Sequence, residues 1–319
     1  MGASGSMAQL PPIPPNIASK AAATLIGSLV NYCLYGVLGV QVYIYHYSFP
    51  EDKTWIKSLV YSVFTIETIQ VCFNGSDVFH WFAAGFGNLV MLNQVWFFPF
   101  DTFILGAIIA SIVQVFFAYR IWYLNKSYLW MSVIICLVSI LQAIGGLVGG
   151  VIKFHNKFLS VPVSVPADLW LIGGAVADIL IAVTMTILLL RTREETHPMS
   201  HTIVTRIVRL TVQSNSLTAG MALLALILYM GIPHTNYFTA PTIFLGKLYS
   251  NTLLATFNHR IFLRKENEKR SQRSLQDSVP SSHNQPYSPT PDNSYKPHHY
   301  VPVSIEAAKE HVSSELRRK

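Results

Sequence analysis

Apolar residues occur in seven long runs along this chain of 319 residues, and short polar segments separate the runs. Each run has roughly 20 to 25 residues, the length that an α-helix needs to cross about 30 Å of hydrocarbon. The pattern therefore predicts an all-α polytopic membrane protein with seven transmembrane helices. The predicted spans are residues 21–47, 55–73, 102–123, 128–152, 167–190, 210–232 and 241–262.

Small residues and turn residues within these runs give further expectations. The fourth span contains the glycine pairs Gly145-Gly146 and Gly149-Gly150, and paired glycines allow a neighbouring backbone to approach closely. The second span is expected to end at Asn74-Gly75-Ser76, because this composition is typical of a turn. Residues 191–209 are basic and are expected to form a cytosolic loop between the fifth and sixth spans.

The two ends of the chain differ from the apolar runs. Residues 1–20 are rich in proline and are predicted to be an extracellular N-terminus. Residues 264–319 consist mainly of Ser, Pro, Asn, His and charged residues, which provide too little apolar surface for a packed core. We expect them to form a disordered cytosolic C-terminal tail after a transmembrane domain that covers residues 21–263.

Composition and charge support the membrane assignment and give the orientation. Only 12% of the residues are charged, whereas a soluble domain has about 25%. Most Lys and Arg residues lie at the ends of the apolar runs on one side, and only Lys20, Lys153 and Lys157 lie on the other. The positive-inside rule then places the N-terminus outside and the tail in the cytosol. The net charge of +7 reflects topology, so we expect no nucleic acid partner.

Polar residues inside the spans are the candidates for function, because an intramembrane charge is costly unless it is paired or faces a cavity. Lys247 lies inside the seventh span on a helical stripe with Asn251. Glu67 and Gln70 share a face of the second span. Lys247 and Glu67 each lie about 9 Å below the outer ends of their spans, so an ion pair between them is geometrically feasible.

Two further polar residues complete the candidate set. Asp178 in the fifth span is a second potential partner for Lys247, and the sequence does not decide between the two acids. Gln213 lies on a polar stripe of the sixth span. The set either lines a polar chamber for a ligand, an ion or a proton, or forms a clamp that only fixes helix packing. Its members are Glu67, Gln70, Asp178, Gln213, Lys247 and Asn251.

The sequence lacks the motifs of common enzymes. There is no HExxH, no nucleotide-binding glycine loop and no serine nucleophile elbow. We therefore predict that the protein is not an enzyme, with no catalytic residues, no metal site and no cofactor. A lysine in a seventh helix also suggests retinal, but the third span has no central acid to act as its counter-ion.

Three motifs in the second half carry a family resemblance. They are Gly173-Gly174-Ala175 with Asp178, RLTVQSNSLTAG at residues 209–220 and LGKLYSNTLL at residues 245–254. Over about residues 165–263, the chain resembles fungal integral membrane proteins with the domain of unknown function 6534. The resemblance implies seven helices and a membrane location, but no activity, since none is assigned to that family.

These observations favour a receptor-like sensor with a chamber between the second, fifth, sixth and seventh helices. A cytosolic signalling partner would then bind the 191–209 loop and the tail. The alternatives are a small-solute or proton-coupled carrier and a structural protein whose buried charges fix helix packing. The absence of inverted repeats and the odd number of spans favour the sensor. We expect the protein to be surrounded by membrane lipid and to lie in the plasma membrane. The sequence does not indicate its oligomeric state.

Overall fold

The computed structural model describes residues 17–86, 88, 91, 94, 96–156, 164–195, 198–232 and 235–261. The predicted tail and most of the predicted extracellular N-terminus lie outside these residues. The described residues form an all-α bundle. Its helices are α1 (Ile17–Ser48), α2 (Thr54–Phe79), α3 (Gly106–Leu124), α4 (Leu129–Asn156), α5 (Ser164–Glu195), α6 (Pro198–Gly231) and α7 (Thr239–Asn258).

Short helical turns of other types extend three of these helices. A π-helical turn, His80–Ala84, continues α2, and a second, Pro99–Leu105, leads directly into α3. A 3₁₀ turn, Lys126–Tyr128, precedes α4, and the Asn125 side chain caps it by accepting a hydrogen bond from the Ser127 backbone N–H. With these extensions, the second and third helical segments are each longer than the sequence pattern predicted.

Five of the described helical segments are long and apolar enough to cross a membrane, which indicates a membrane protein. They are Ala21–Ser48, Thr54–Ala84, Pro99–Leu124, Lys126–His155 and Val165–Leu188. The outer surface of the bundle fits this conclusion because large apolar side chains cover it. On α4, for example, Leu137, Ile140 and Val151 are each more than half exposed, as expected for side chains that face lipid.

The seventh helix, α7, is the central helix of the bundle. Every residue from Pro241 to Leu254 is buried, so the polar side chains of α7 face other helices instead of lipid. This burial explains how a helix with a lysine and several Ser, Asn and Thr residues fits inside an apolar bundle, because polar groups at membrane depth need protein partners.

Contacts along α7 define the directions of its neighbours. Asn251 Nδ2 donates to Leu34 O at 3.1 Å, and seven residues later Asn258 Nδ2 donates to Gln41 O at 2.8 Å. Both contacts have the same sequence separation, so α1 and α7 are parallel. We call the end of the bundle where α1 and α7 begin the amino end, and the opposite end the carboxyl end.

The glycine pairs of α4 lie where helices approach closely, which confirms the expectation from the sequence. A Cβ atom on Gly145 would lie 2.9 Å from Pro166 O of α5, and one on Gly150 would lie 2.6 Å from Ile104 Cγ1. A Cβ atom on Gly146 would overlap Ala107 Cβ of α3. The four glycines therefore let α4 pack tightly between α3 and α5.

Replacing Gly146 with Ala is expected to destabilise the bundle by about 1–3 kcal/mol, because the new methyl group overpacks the α3–α4 contact. Gly39→Ala is the matched control, since a Cβ atom there meets nothing within 4 Å. Unfolding of both variants in mixed detergent micelles measures the difference. Equal stabilities of the two variants would contradict the close packing described for α4.

The structure differs from the sequence predictions at two helix ends. The expectation that the second helix ends at Asn74-Gly75-Ser76 is wrong, because α2 continues to Phe79. Asn74 and Asp77 face the protein interior, where Asn74 Oδ1 accepts from Asn31 Nδ2 and Asp77 Oδ1 accepts from the Phe97 backbone N–H. The expectation that residues 191–209 form a loop is also wrong, because most of them belong to the end of α5 and the beginning of α6.

Candidate functional site

An ion pair between α2 and α7 lies at the centre of the candidate site. Lys247 Nζ pairs with Glu67 Oε2, and both side chains are fully buried. Lys247 Nζ also donates to Gln70 Oε1 at 2.8 Å and lies 3.3 Å from the backbone oxygen of Glu67. Because a protonated lysine has three N–H donors, these oxygens give each donor an acceptor.

The partners of Lys247 are themselves satisfied. Ser250, one turn after Lys247, donates from Oγ to Glu67 Oε1 at 2.5 Å. Gln70, one turn after Glu67, donates from Nε2 to the backbone oxygen of Asp101 at 3.0 Å. Both carboxylate oxygens and the neighbouring amide are therefore hydrogen bonded, which is the condition under which a buried ion pair is tolerated.

A second buried network lies between α7 and the helices on its other side. Asp178 of α5 accepts from Tyr249 OH at 2.5 Å and from Gln114 Nε2 of α3 at 2.9 Å. Gln114 Oε1 in turn accepts from Gln142 Nε2 of α4 at 2.9 Å. Gln142 fits because Gly173 of α5 faces it, where a Cβ atom would lie 2.8 Å from Gln142 Cβ.

The two networks contact opposite sides of α7. Lys247 and Tyr249 are two positions apart, which corresponds to about 200° around a helix. Glu67 and Asp178, the two acids that the sequence offered as partners for Lys247, are thus separated by α7 itself. The structure pairs Lys247 with Glu67 and gives Asp178 neutral partners.

The other two predicted site residues have different surroundings. Asn251 is buried, and its amide nitrogen donates to the backbone oxygens of Leu34 and Lys247, so it connects α7 to α1. Gln213 of α6 is exposed and belongs to neither network. The structure therefore brings together Glu67, Gln70, Lys247 and Asn251, while Asp178 belongs to the second network.

Sequence analysis missed Gln114, Gln142 and Tyr249 as site residues. Gln114 and Gln142 each lie near the middle of an apolar span, and the rule used for the charged residues would have identified them if it had been applied to amides. Tyr249 carried no such signal. Its position in an aromatic-rich apolar helix is typical of a core residue.

Two small cavities adjoin the second network. In one of them, the volume open to the centre of a water molecule is about 10 Å³. The residues that line it include Gln114, Asp178, Asn215 and Thr218. The other, with about 20 Å³, lies between α3, α4, α5, α6 and α7 and is lined by residues that include Gln142 and Tyr249. Volumes of this size hold about one water molecule each.

A third polar contact closes the carboxyl end of the α1–α7 interface. The guanidinium of Arg260 contacts both carboxylate oxygens of Asp52, which also accepts from Tyr45 OH at 3.1 Å. The same guanidinium lies 4.3 Å from the centre of the Phe49 ring. Both charged side chains are partly exposed, so this pair contributes less to stability than a buried pair and depends more on salt.

Metal ligation is not suggested by the part of the chain that the structure describes, since it contains no group of three or more His, Cys, Asp or Glu side chains placed to hold an ion. Comparison with known protein families gives a match in the second half of the chain. Residues 174–262 match the model of a family of unknown function, DUF6534. No curated protein and no solved structure is significantly similar to the chain.

The family match supports the resemblance that the motifs of the second half indicated. The matched residues include the carboxyl-terminal part of α5, all of α6 and all of α7. They contain Asp178, Lys247 and Tyr249, but not Glu67 or Gln114. Both buried networks therefore join residues inside the matched region to residues before it.

Proposed function

We propose that this protein is a receptor-like membrane sensor in which α7 is the element that moves. The observation that carries the proposal is the position of α7, which is buried from Pro241 to Leu254 and joined on opposite sides to two separate polar networks. Hydrogen-bonded partners in a packed interior change in discrete steps rather than continuously. A helix held in this way is suited to two alternative positions.

The Glu67–Lys247 ion pair would hold the resting position of α7. Moving α7 relative to α2 separates two buried charges, and each uncompensated charge costs several kcal/mol in a low-dielectric interior. A stimulus changes the balance only if it interacts more favourably with the shifted state, and the size of that difference limits the response. The predicted cytosolic partner would read the shift at residues 191–209, where α5 and α6 end and begin.

We also propose that α6 and α7 cross the membrane, which makes seven spans with the N-terminus outside. An α-helix of 20 residues, the length of α7, measures about 30 Å, which matches the hydrocarbon thickness. The concentration of Lys and Arg on the side of the tail supports the orientation. A disordered cytosolic tail, fungal origin and a plasma membrane location belong to the same proposal.

Specific observations bear on the alternatives. The cavities beside the second network hold about one water molecule each, which favours a sensor over a carrier of larger solutes in this conformation. Buried polar atoms that have no hydrogen-bond partner among the described residues, such as Asn31 Oδ1 and Asp77 Oδ2, favour the proton-coupled form of the carrier. The complete hydrogen bonding of the ion pair favours a structural protein in which these charges only fix packing.

Spin labels on α7 and α3 test the sensor proposal. In a protein whose three native cysteines are replaced by serine, cysteines at Ala255 and Tyr123 carry the labels, because both positions are exposed near the carboxyl end. We expect one dominant distance in the wild type and a second distance in Lys247→Met. Lys53→Met is the control, since Lys53 is an exposed lysine at the start of α2.

The possible results separate the three candidate functions. A folded Lys247→Met protein with the wild-type distance distribution would contradict the sensor and leave the structural role. Proton or solute flux in proteoliposomes that Lys247→Met abolishes and Lys53→Met retains would instead identify a carrier. A second distance in Lys247→Met without flux is the result that the sensor requires.

A further inference from the structure

We propose that Asp77 and Asp101 form a proton-binding site near the amino end of the bundle, separate from the Glu67–Lys247 ion pair. Asp77 lies two residues before the end of α2, and Asp101 lies in the π-helical turn that leads into α3. Both side chains are buried. The inference does not depend on the sensor proposal, because it rests on the charges and hydrogen bonds of these two carboxyl groups.

The first argument is the balance of buried charge. Asp77, Asp101 and Glu67 are each at most 1% exposed, and Lys247 is fully buried. The Lys247 ammonium is already bound to Glu67. The ion pairs among the described residues join Lys247 to Glu67 and Arg260 to Asp52, so they leave Asp77 and Asp101 without a dedicated counter-ion.

The surroundings of the two carboxyl groups supply little further compensation. Asp77 and Asp101 are close enough to interact electrostatically with each other, and Asp101 also interacts with Lys247. Tyr32 of α1 interacts electrostatically with both acids but carries no positive charge. Even one isolated charge costs at least about 2.5 to 3.5 kcal/mol inside a membrane. Two neighbouring carboxyl groups in such a place are best accommodated by one proton that neutralises one of them.

The second argument identifies the oxygen that takes the proton. Asp77 Oδ1 accepts from the Phe97 backbone N–H at 2.7 Å, whereas Asp77 Oδ2 is buried without a partner among the described residues. Asp101 instead accepts from the hydroxyl of Thr102 at 2.9 Å. A bare carboxylate oxygen is a costly acceptor without donors, but a proton on Asp77 Oδ2 removes the charge and converts the oxygen into a hydroxyl donor.

The facing helix offers an acceptor for that hydroxyl. Asn31 of α1 contacts Asn74 across the α1–α2 interface at 3.4 Å, and Asn74 lies one turn before Asp77 on the same face of α2. Asn31 Oδ1 is also buried without a partner among the described residues. Among the described residues, the interface beside Asp77 thus contains an unused acceptor, Asn31 Oδ1, and an unused donor, Asn74 Nδ2, and a proton on Asp77 Oδ2 supplies a second donor.

Binding and release of this proton change the charge beside the ion pair. With the proton bound, Asp77 is neutral and Asp101 is stabilised by the Thr102 hydroxyl and by Lys247. On release, the O–H bond of Asp77 breaks, the proton leaves to water, and a second negative charge remains near Asp101. The additional charge competes with Glu67 for the Lys247 ammonium, so the proton on Asp77 is coupled to the contact between α2 and α7.

Infrared spectroscopy of the purified full-length protein tests the proton. At neutral pH we expect the carbonyl stretching band of a protonated carboxylic acid, and it should shift when the protein is labelled with ¹³C in the side-chain carboxyl of aspartate. In an Asp178→Asn background, which removes the other buried aspartate with neutral partners, the Asp77→Asn change should remove this band because its amide cannot hold the acid proton. Glu51→Gln is the control and should keep the band, since Glu51 is exposed.

Three results would overturn the proposal. One is a wild-type spectrum without an acid band that the aspartate label shifts, and this measurement needs no variant. Another is a folded Asp178→Asn, Asp77→Asn protein that keeps the full band of Asp178→Asn alone. The third is loss of the band in sodium chloride but not in choline chloride, which would identify a sodium ion as the ligand in place of the proton.

Discussion

Replacing Lys247 with Met is expected to lower the free energy of unfolding by about 3–5 kcal/mol, because the change leaves Glu67 charged and buried without its counter-ion. Methionine has nearly the length of lysine and fills most of the same volume, so the loss reports on charge and not on a cavity. The ion pair is fully buried, and solvent therefore cannot compensate for the missing ammonium.

The double variant Lys247→Met with Glu67→Gln separates the charge effect from packing. Removing both charges leaves neutral side chains of similar size, and replacing a complete buried ion pair is often close to neutral in free energy. We expect the double variant to recover most of the stability lost in Lys247→Met. Unfolding in mixed detergent micelles gives the three values, and Lys53→Met controls for the loss of a positive charge at an exposed position.

A double variant as unstable as the single one would contradict this account, because it would show that the lysine contributes through contacts other than Glu67. The alternative functions also differ here. If the double variant regains stability and also responds like the wild type in the distance measurement, the ion pair only fixes packing. If it regains stability but keeps a second α7 position, the pair controls the position of α7, as the sensor requires.

Replacing Asp178 with Leu is expected to cause the second large loss, because two buried donors lose their acceptor at once. Tyr249 OH and Gln114 Nε2 both donate to Asp178, and each buried donor left without a partner costs about 1–3 kcal/mol. The effect should be local to α3, α5 and α7, since the Glu67–Lys247 pair lies on the other side of α7.

Asp178→Asn is the matched control for this substitution. An asparagine keeps one acceptor oxygen at the same position, so it should retain one of the two hydrogen bonds and lose less stability than leucine. The losses in Asp178→Leu and Lys247→Met should also add, because residues without shared partners behave independently. A clear departure from additivity in the double variant would indicate that the two networks are coupled through α7.

The sequence was a good guide to the helices of this protein. The apolar runs predicted each of the described helices near its observed position, because the hydrocarbon and the protein interior both exclude unpaired backbone groups. The glycine pairs of α4 also predicted close packing correctly. The errors occurred at the helix ends near Asn74 and Arg191, where polar residues suggested turns but their neighbours support continued helix.

The candidate site was predicted only in part. Matching depth in two spans made contact between Glu67 and Lys247 feasible, and the structure contains that contact. The sequence also left Asp178 as a second candidate, because it does not give the direction in which Lys247 points around the axis of its helix. Gln213 was included for its polar stripe, yet it is exposed, since a stripe can face outward from a bundle as well as inward.

The sequence by itself determined which segments are helical and which residues share a face, because these properties follow from the 3.6-residue period within one segment. Only the tertiary structure decided which face of α7 meets which neighbour. That choice assigned Lys247 to Glu67, gave Tyr249 and Gln114 to Asp178, and brought Asp77 beside Asp101. It depends on how side chains from distant segments pack together, and no local pattern in the chain contains that information.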